Sequence, residues 1–442
     1  MPAASSPTRC GLPQRRTGQL RRVGSQSARC ITLLLAPLLL VACVLLAACA
    51  GHGERRHAYA PLILISIDGY RADYITRGLS PNLAALADDG VHAQSMRSSF
   101  PTLTFPNHYS IVTGLYPDHH GIVNNRFVDP DNGKKFVYND PNTTADAAWW
   151  GGEPLWVSAE RQGKHAATMF WPGSDVAISG VYPEHWSRFD GKLAPLARVE
   201  QALSWLDLPA SARPDFLTLY FEQLDHAGHD HGPDSPEVNA ALAEVDQALG
   251  SFVAGLRQRG LLDQANIVVV SDHGITATSE QRIVVIDKVV DIGSVDVINA
   301  GVLAGLAAKP GREAQVERAL LVPHEHMRCW KKSEIPARLH YGGNPRIPPY
   351  LCLADDGWLV DTQEFLDRPK HHVSLGEHGY DNDDPNMRAL FVAHGPAFRR
   401  HLEIPQFDNV DLYPVLARLL GVKPAPNDGN ERTLAPVLMP GW

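Results

Sequence analysis

Residues 61–70 read PLILISIDGY, an unbroken apolar run from Pro61 to Ile67 that ends on a carboxylate, Asp68. A strand with one wet face alternates apolar and polar residues. A run rich in β-branched residues with no alternation is the pattern of a parallel strand covered on both faces. Three further runs share it, at 215–221 (DFLTLYF), 266–271 (NIVVVS) and 389–393 (ALFVA). Between them the apolar residues recur at helical spacing. Ser80 and Pro81 open the pattern SPNLAALADDG, which Gly90 closes, and a second pattern spans 236–259, with Gly260 after it. Alternating strands and helices predict an α/β fold, a mostly parallel central sheet with helices on both faces. Residues placed just after the strands then meet along one rim of that sheet.

The 442 residues exceed an average domain, and the composition, 44% hydrophobic and 20% charged, is that of an ordinary globular protein. The first fifty residues differ. Six arginines and no acid precede the apolar run ITLLLAPLLLVACVLLAACA at 31–50, the pattern of a secretory leader. The expected organisation is therefore a leader over 1–50 and a single catalytic domain over 51–442. Leu46-Ala47-Ala48-Cys49 matches a bacterial lipobox, which makes Cys49 the lipidated first residue of the mature chain. Cleavage after Ala50 at a small-residue site is the alternative. Either way the body is exported, as a periplasmic or outer-membrane lipoprotein of a bacterium, with the Cys49 lipid as a membrane tether.

Four of the six cysteines lie in the leader, leaving Cys329 and Cys352 to pair as a disulfide in an oxidising compartment. They bracket a stretch at 323–358 that is rich in proline, glycine, aromatic and basic residues with little periodicity. It reads as an insertion over or beside the site. Without the leader arginines the formal charge moves from −9 to −15, which excludes a grip on polymeric nucleic acid. A small anionic substrate at a locally positive site remains compatible with that charge.

Four short patches carry the candidate chemistry: Asp68 in ISIDGY, Asp225 and His229 in FEQLDHAGH, Asp272 and His273 in VVVSDHG, and His378 in GEHGYDN. A carboxylate directly after a buried strand has no structural reason unless something binds it. Asp225 and His229, four apart, reach one ion from one helical turn, although His226 and His231 offer the same chemistry. Three carboxylates and three imidazoles suit two divalent metals with open positions, and imidazole-rich ligation points to zinc. Three negative charges against two dications leave +1, which matches a phosphodiester monoanion. Two such ions serve in-line phosphoryl transfer. Thr104, in FPTLTFPNH near the start of a helix, is the candidate nucleophile, with Thr102 and Ser110 as rivals.

The motifs SIDGYRADY, PTLTFPNHYSIVTG, DHAGHDHGP, SDHG and GEHGYDN, in this order, resemble the nucleotide pyrophosphatase/phosphodiesterase family of the alkaline phosphatase superfamily. The resemblance runs from about 60 to 435 and implies the alkaline-phosphatase-like fold. It implies Thr104 as nucleophile, with Asp68, Thr104, Asp272 and His273 on one zinc and Asp225, His229 and His378 on the other. It also places Asn125 on a non-bridging phosphate oxygen and Phe105 and Tyr220 beside a nucleobase. Phe189 stands where many nucleotide-cleaving members have tyrosine. The expectation is a two-zinc enzyme that hydrolyses nucleotide phosphodiester or pyrophosphate bonds to a nucleoside monophosphate through a phosphothreonine. The competing readings are a phosphomonoesterase or choline phosphodiesterase of the same superfamily, and a surface binding protein stabilised by metals.

Overall fold

The computed structural model describes residues 59–369 and 372–442. The leader, with Cys49 and its lipobox, lies outside the described residues. Among the described residues no helix is long and apolar enough to cross a membrane.

The elements that place the site are, in chain order, β1 (Leu62–Ile67), α1 (Pro81–Asp89), β2 (Val91–Ala93), α2 (Thr104–Thr113), β3 (Ala166–Met169), β4 (His185–Trp186), α3 (Pro195–Leu206), β5 (Phe216–Phe221), α4 (Gln223–His231), α5 (Pro236–Gln258) and β6 (Asn266–Val270). They continue with β7 (Val295–Asn299), β8 (Leu303–Ala308), β9 (Met327–Lys331), β10 (Tyr350–Ala354), β11 (Phe391–His394), β12 (Leu402–Ile404) and α6 (Leu412–Leu420). Eight strands form the central sheet in the order β12-β2-β11-β6-β1-β5-β3-β4. β6, β1, β5, β3 and β4 run parallel. β11 runs antiparallel to both β6 and β2, so the sheet is mixed on that side.

The unbroken apolar runs have a direct physical cause. Leu62 and Leu64, Phe216, and Val268 and Val270 face one core with α2 and α6. Ile63, Ile65, Ile67, Leu217, Leu219, Ile267 and Val269 face the other, against α1, α3 and α5. Both sets are within 2% of full burial. Truncating any of these large side chains to alanine costs about 2–5 kcal/mol. β1 is therefore a firmly packed base for the residue that follows it, Asp68.

Two sequence expectations change in detail. Ser80 stands at the start of α1 but makes no capping bond, and its Oγ accepts from Tyr70 Oη instead, at 3.1 Å. Asp246 of α5 caps α1 in its place, taking the N–H of Asn82 and of Leu83 at 3.1 and 2.9 Å. The 323–358 stretch is tied into a larger element. Its strands β9 and β10 complete a four-stranded antiparallel sheet, β7-β8-β10-β9, that begins at Val295. Cys329 and Cys352 face each other across β9 and β10 and form the disulfide. Asp118 docks the stretch by accepting the N–H groups of Gly342, Gly343 and Asn344 at 2.8–3.0 Å.

Candidate active site

The rim where β1, β5 and β6 end collects the singled-out residues. Asp68 follows β1 directly, Asp272 and His273 follow β6, and Asp225 and His229 ride on α4, which leaves the end of β5. Gly69 makes this convergence feasible: at φ 68° it turns the chain, and a Cβ there would meet Asp225 at 3.2 Å. Its N–H points to Asp272 Oδ1 at 3.3 Å. His378 directly follows a short strand, Gly376–Glu377, and its Nδ1 bonds the carbonyl of Thr102 at 2.9 Å.

Three overlapping groups of donors result among the described residues: Asp225, His229 and His378; Asp68, His108 and Asp272; and Asp68, Asp225 and His273. Asp225, His229 and His378 lie together, with His229 Nε2 3.4 Å from Asp225 Oδ2 and 3.2 Å from His378 Nε2. His273 Nε2 lies 3.4 Å from Asp68 Oδ1, 2.9 Å from Asp272 Oδ2 and 3.2 Å from Thr104 Oγ1. Asp68, Asp272 and His273 are at most 1% exposed. His226 and His231 join no such group among the described residues. Thr104 is the first residue of α2 and opens onto the cleft. Its rivals are committed elsewhere. Thr102 Oγ1 donates to Tyr380 O and accepts from Gly379 N, and Ser110 Oγ is buried against His120 Nε2.

The donor groups fit a pair of divalent ions on three observations. Asp68 Oδ1 and Asp225 Oδ1 are buried carboxylate oxygens with no hydrogen-bond partner in the protein, and Asp272 Oδ2 is met by the rings of His273 and His108, at 2.9 and 3.2 Å. Bare carboxylates of this kind are unstable in a dry interior unless a cation meets them. Burial, then the Asp272 and Asp225 charges, push the Asp68 carboxyl well above its usual range. Burial works against a charged His229, yet Asp225 and then Glu377 outweigh it and raise the ring to about 9, so this end of the cluster attracts positive charge. Each group mixes imidazole nitrogen with carboxylate oxygen donors.

The supporting shell is mostly invisible to sequence inspection. Tyr220 Oη donates to Asp68 Oδ2 at 2.5 Å, so this residue reaches the cluster through its hydroxyl as well as lining the cleft. Buried His108 sits 3.2 Å from Asp272 Oδ2 through Nδ1, which also bonds Thr104 O at 3.0 Å, while its Nε2 faces Ser66 Oγ at 2.8 Å. It links the backbone of Thr104 to a carboxylate of the cluster. His229 Nδ1 donates to Gly376 O at 2.7 Å, fixing which ring nitrogen faces the cluster. The only sequence signal for His108 was its position four residues after Thr104, on the same face of α2.

Above the cluster opens a cleft of about 370 Å³, with Phe105, Asn125, Tyr138, Phe189 and Tyr220 among its lining residues. Asn125 Oδ1 accepts the N–H of Phe105 at 3.0 Å, which leaves its NH₂ as the donor beside Thr104. Phe189, 51% exposed, stands edge-on to Phe170 and Tyr220 at 5.2 and 6.0 Å. Phe105 packs against Tyr138 and Trp150 on the other side. No residue of 323–358 is among those lining this cleft.

Residues 62–381 match the family model described as type I phosphodiesterase / nucleotide pyrophosphatase. An uncharacterised pyrophosphatase/phosphodiesterase of Schizosaccharomyces pombe is 38% identical over 387 residues, 85% of this chain and 80% of that protein. A venom phosphodiesterase of Crotalus durissus collilineatus is 39% identical over 387 residues. The chain spans 46% of the length of that venom relative. Murine ectonucleotide pyrophosphatase/phosphodiesterase 5, solved as an inactive threonine-to-alanine variant with AMP, superposes with a TM-score of 0.81 at 32% identity. The match covers 86% of this chain and 100% of that one.

Proposed function

The chain belongs to the type I phosphodiesterase/nucleotide pyrophosphatase family of hydrolases, in the alkaline phosphatase superfamily, and from that premise we propose that it cleaves nucleotide phosphodiester or pyrophosphate bonds with Thr104 as nucleophile. The observation that carries the reading is the Thr104 hydroxyl, open to the cleft and 3.2 Å from His273 Nε2, beside the buried Asp68 and Asp225 oxygens that no hydrogen bond satisfies. A pure binding site needs no such hydroxyl.

Two zinc ions are the proposed cofactors, one held by Asp68, Thr104, Asp272 and His273 and one by Asp225, His229 and His378. When bound, they lower the pKa of a coordinated hydroxyl and neutralise charge on the phosphoryl oxygens. Thr104 gives its hydroxyl proton to solvent, and Oγ1 attacks phosphorus as the bond to the leaving oxygen breaks. The electron pair leaves with the alcohol or phosphate, and the nucleoside phosphate is esterified to Thr104. Water then attacks phosphorus, loses a proton to solvent, and the P–Oγ1 bond breaks. Thr104 regains its proton and a nucleoside monophosphate departs. The Asn125 NH₂ donates to a non-bridging oxygen without adding charge, which favours a diester over a doubly charged monoester. Phe105, Phe189 and Tyr220 flank the base. The nucleotide-bound murine relative supports this choice of ligand class.

The leader supports export and, through the Cys49 lipobox, attachment to a bacterial membrane as a lipoprotein. The substrate is a small nucleotide, not a nucleic-acid polymer. Comparing kcat/KM for thymidine 5′-(4-nitrophenyl phosphate), 4-nitrophenyl phosphate and 4-nitrophenyl phosphocholine tests the reading. Preference for the first is expected; a preference for either of the others assigns the chain to the phosphomonoesterase or choline phosphodiesterase alternative.

A further inference from the structure

A buried ion pair lies at the aromatic wall of the cleft, and its acid, Glu222, is one of the residues lining that cleft. Arg198 of α3 is fully buried, and Glu222, the residue before α4, is 3% exposed. The guanidinium grips the carboxylate with both arms, Nη1 donating to Oε2 and Nη2 to Oε1. Its Nε donates to Leu193 O at 2.8 Å, and Nη1 also donates to Tyr220 O at 3.0 Å. The Arg198 Cζ lies 5.1 Å from the Phe170 ring centroid, and Phe170 in turn supports Phe189.

Such a pair adds little net stability over apolar side chains of similar volume, because desolvating two charges offsets their attraction. What it does supply is geometry. One planar fork ties together the loop after Phe189, the end of β5 where Tyr220 reaches Asp68, and the start of α4, which carries Asp225 and His229. The first two adjoin the aromatic wall, and the third leads into the helix that carries Asp225 and His229.

We propose that the Arg198–Glu222 pair is a positioning element that holds Phe189 at a fixed reach from Thr104, so that the chain prefers phosphodiesters bearing an aromatic base. The inference rests on the phosphodiesterase reading above. A lysine cannot replace the fork, since an ammonium offers no planar bidentate geometry and no Nε donor in that place.

The test compares thymidine 5′-(4-nitrophenyl phosphate) with methyl 4-nitrophenyl phosphate, which has the same leaving group and no base. In Arg198→Lys the ratio of kcat/KM values is expected to fall about tenfold, within the range of one lost base–aromatic stack, and to do so through KM for the nucleotide. Cleavage of the methyl ester falls less, because that ester offers Phe189 no base to meet. In a Phe189→Ala background the same substitution leaves the ratio unchanged, because its effect passes through Phe189. If Arg198→Lys does not fold, Glu222→Gln, which keeps the shape and weakens the fork, takes its place. A parallel loss on both substrates, an unchanged ratio, or an effect that persists without Phe189 overturns the inference. A wild type that cleaves neither diester removes the phosphodiesterase reading, and this inference with it.

Discussion

Replacing Tyr220 with phenylalanine removes one oxygen atom and separates two roles that share a ring. The hydroxyl donates to Asp68 Oδ2 at 2.5 Å, while the ring packs edge-on against His108 and Phe189 at 5.1 and 6.0 Å. Burial and the Asp68 charge push the phenol well above its usual range, so it stays protonated and donates. Phenylalanine keeps the ring contacts and leaves Asp68 without this bond. A hydrogen bond to a buried carboxylate is worth about 1.5–3 kcal/mol. Losing a bond that orients a metal ligand lowers metal affinity about 10–100-fold. The assay is zinc titration of the metal-free protein against a chromophoric chelator, followed by nitrophenyl nucleotide turnover at saturating zinc. Tyr220→Phe should bind zinc more weakly, recover much of its turnover at saturating zinc and keep KM, because the ring is intact. Unchanged zinc affinity would refute the role of the hydroxyl. A raised KM with unchanged affinity would place the hydroxyl on the substrate instead.

Three further outcomes follow from other residues. Chelation should abolish hydrolysis, and zinc should restore it where magnesium alone does not, since each donor group contains imidazole; recovery with magnesium would contradict the zinc assignment. His120 is fully buried, accepts the Ile122 N–H at Nδ1, and is held by burial at about 3. The unfolded chain therefore takes up a proton from near pH 6.5 downward that the folded chain refuses until about pH 3, and stability falls with acid across that window. Thermal melts of His120→Gln should show an acid slope shallower by about 1.4 kcal/mol per pH unit at most, and parallel curves would contradict the argument. Removing the disulfide with Cys329→Ala and Cys352→Ala should cost about 3 kcal/mol by denaturant unfolding, for a separation of 23 residues, with little change in kcat; loss of activity in the folded variant would place the small sheet in catalysis.

The central strands were legible because burial on both faces leaves an unmistakable run, as Leu62–Ile67 shows with all six residues buried. Asp68, Asp272 and Asp225 were legible for a related reason, as acids beside such runs. The single pair of body cysteines was legible from counting. The small sheet was read only in part, because β7 is partly exposed and its register with β8 shifts between Val297 and Asn299, so its sequence shows no clean alternation. The α1 cap was misplaced because Asp246 reaches it from a helix more than 150 residues away in sequence, and no local pattern encodes that. His108, the Tyr220 hydroxyl and the Arg198–Glu222 pair escaped for the same reason. Their meaning lies in what the fold brings next to them.

The most direct measurement of the central claim is acid-quenched mass spectrometry of the enzyme during turnover of a nucleotide diester. The peptide containing Thr104 should gain the mass of a nucleoside monophosphate less water, on Thr104 itself, and Thr104→Ala should hold zinc yet form no adduct and lose nearly all turnover. Full turnover in Thr104→Ala, or an adduct on another residue, would contradict the assignment of Thr104 as the nucleophile.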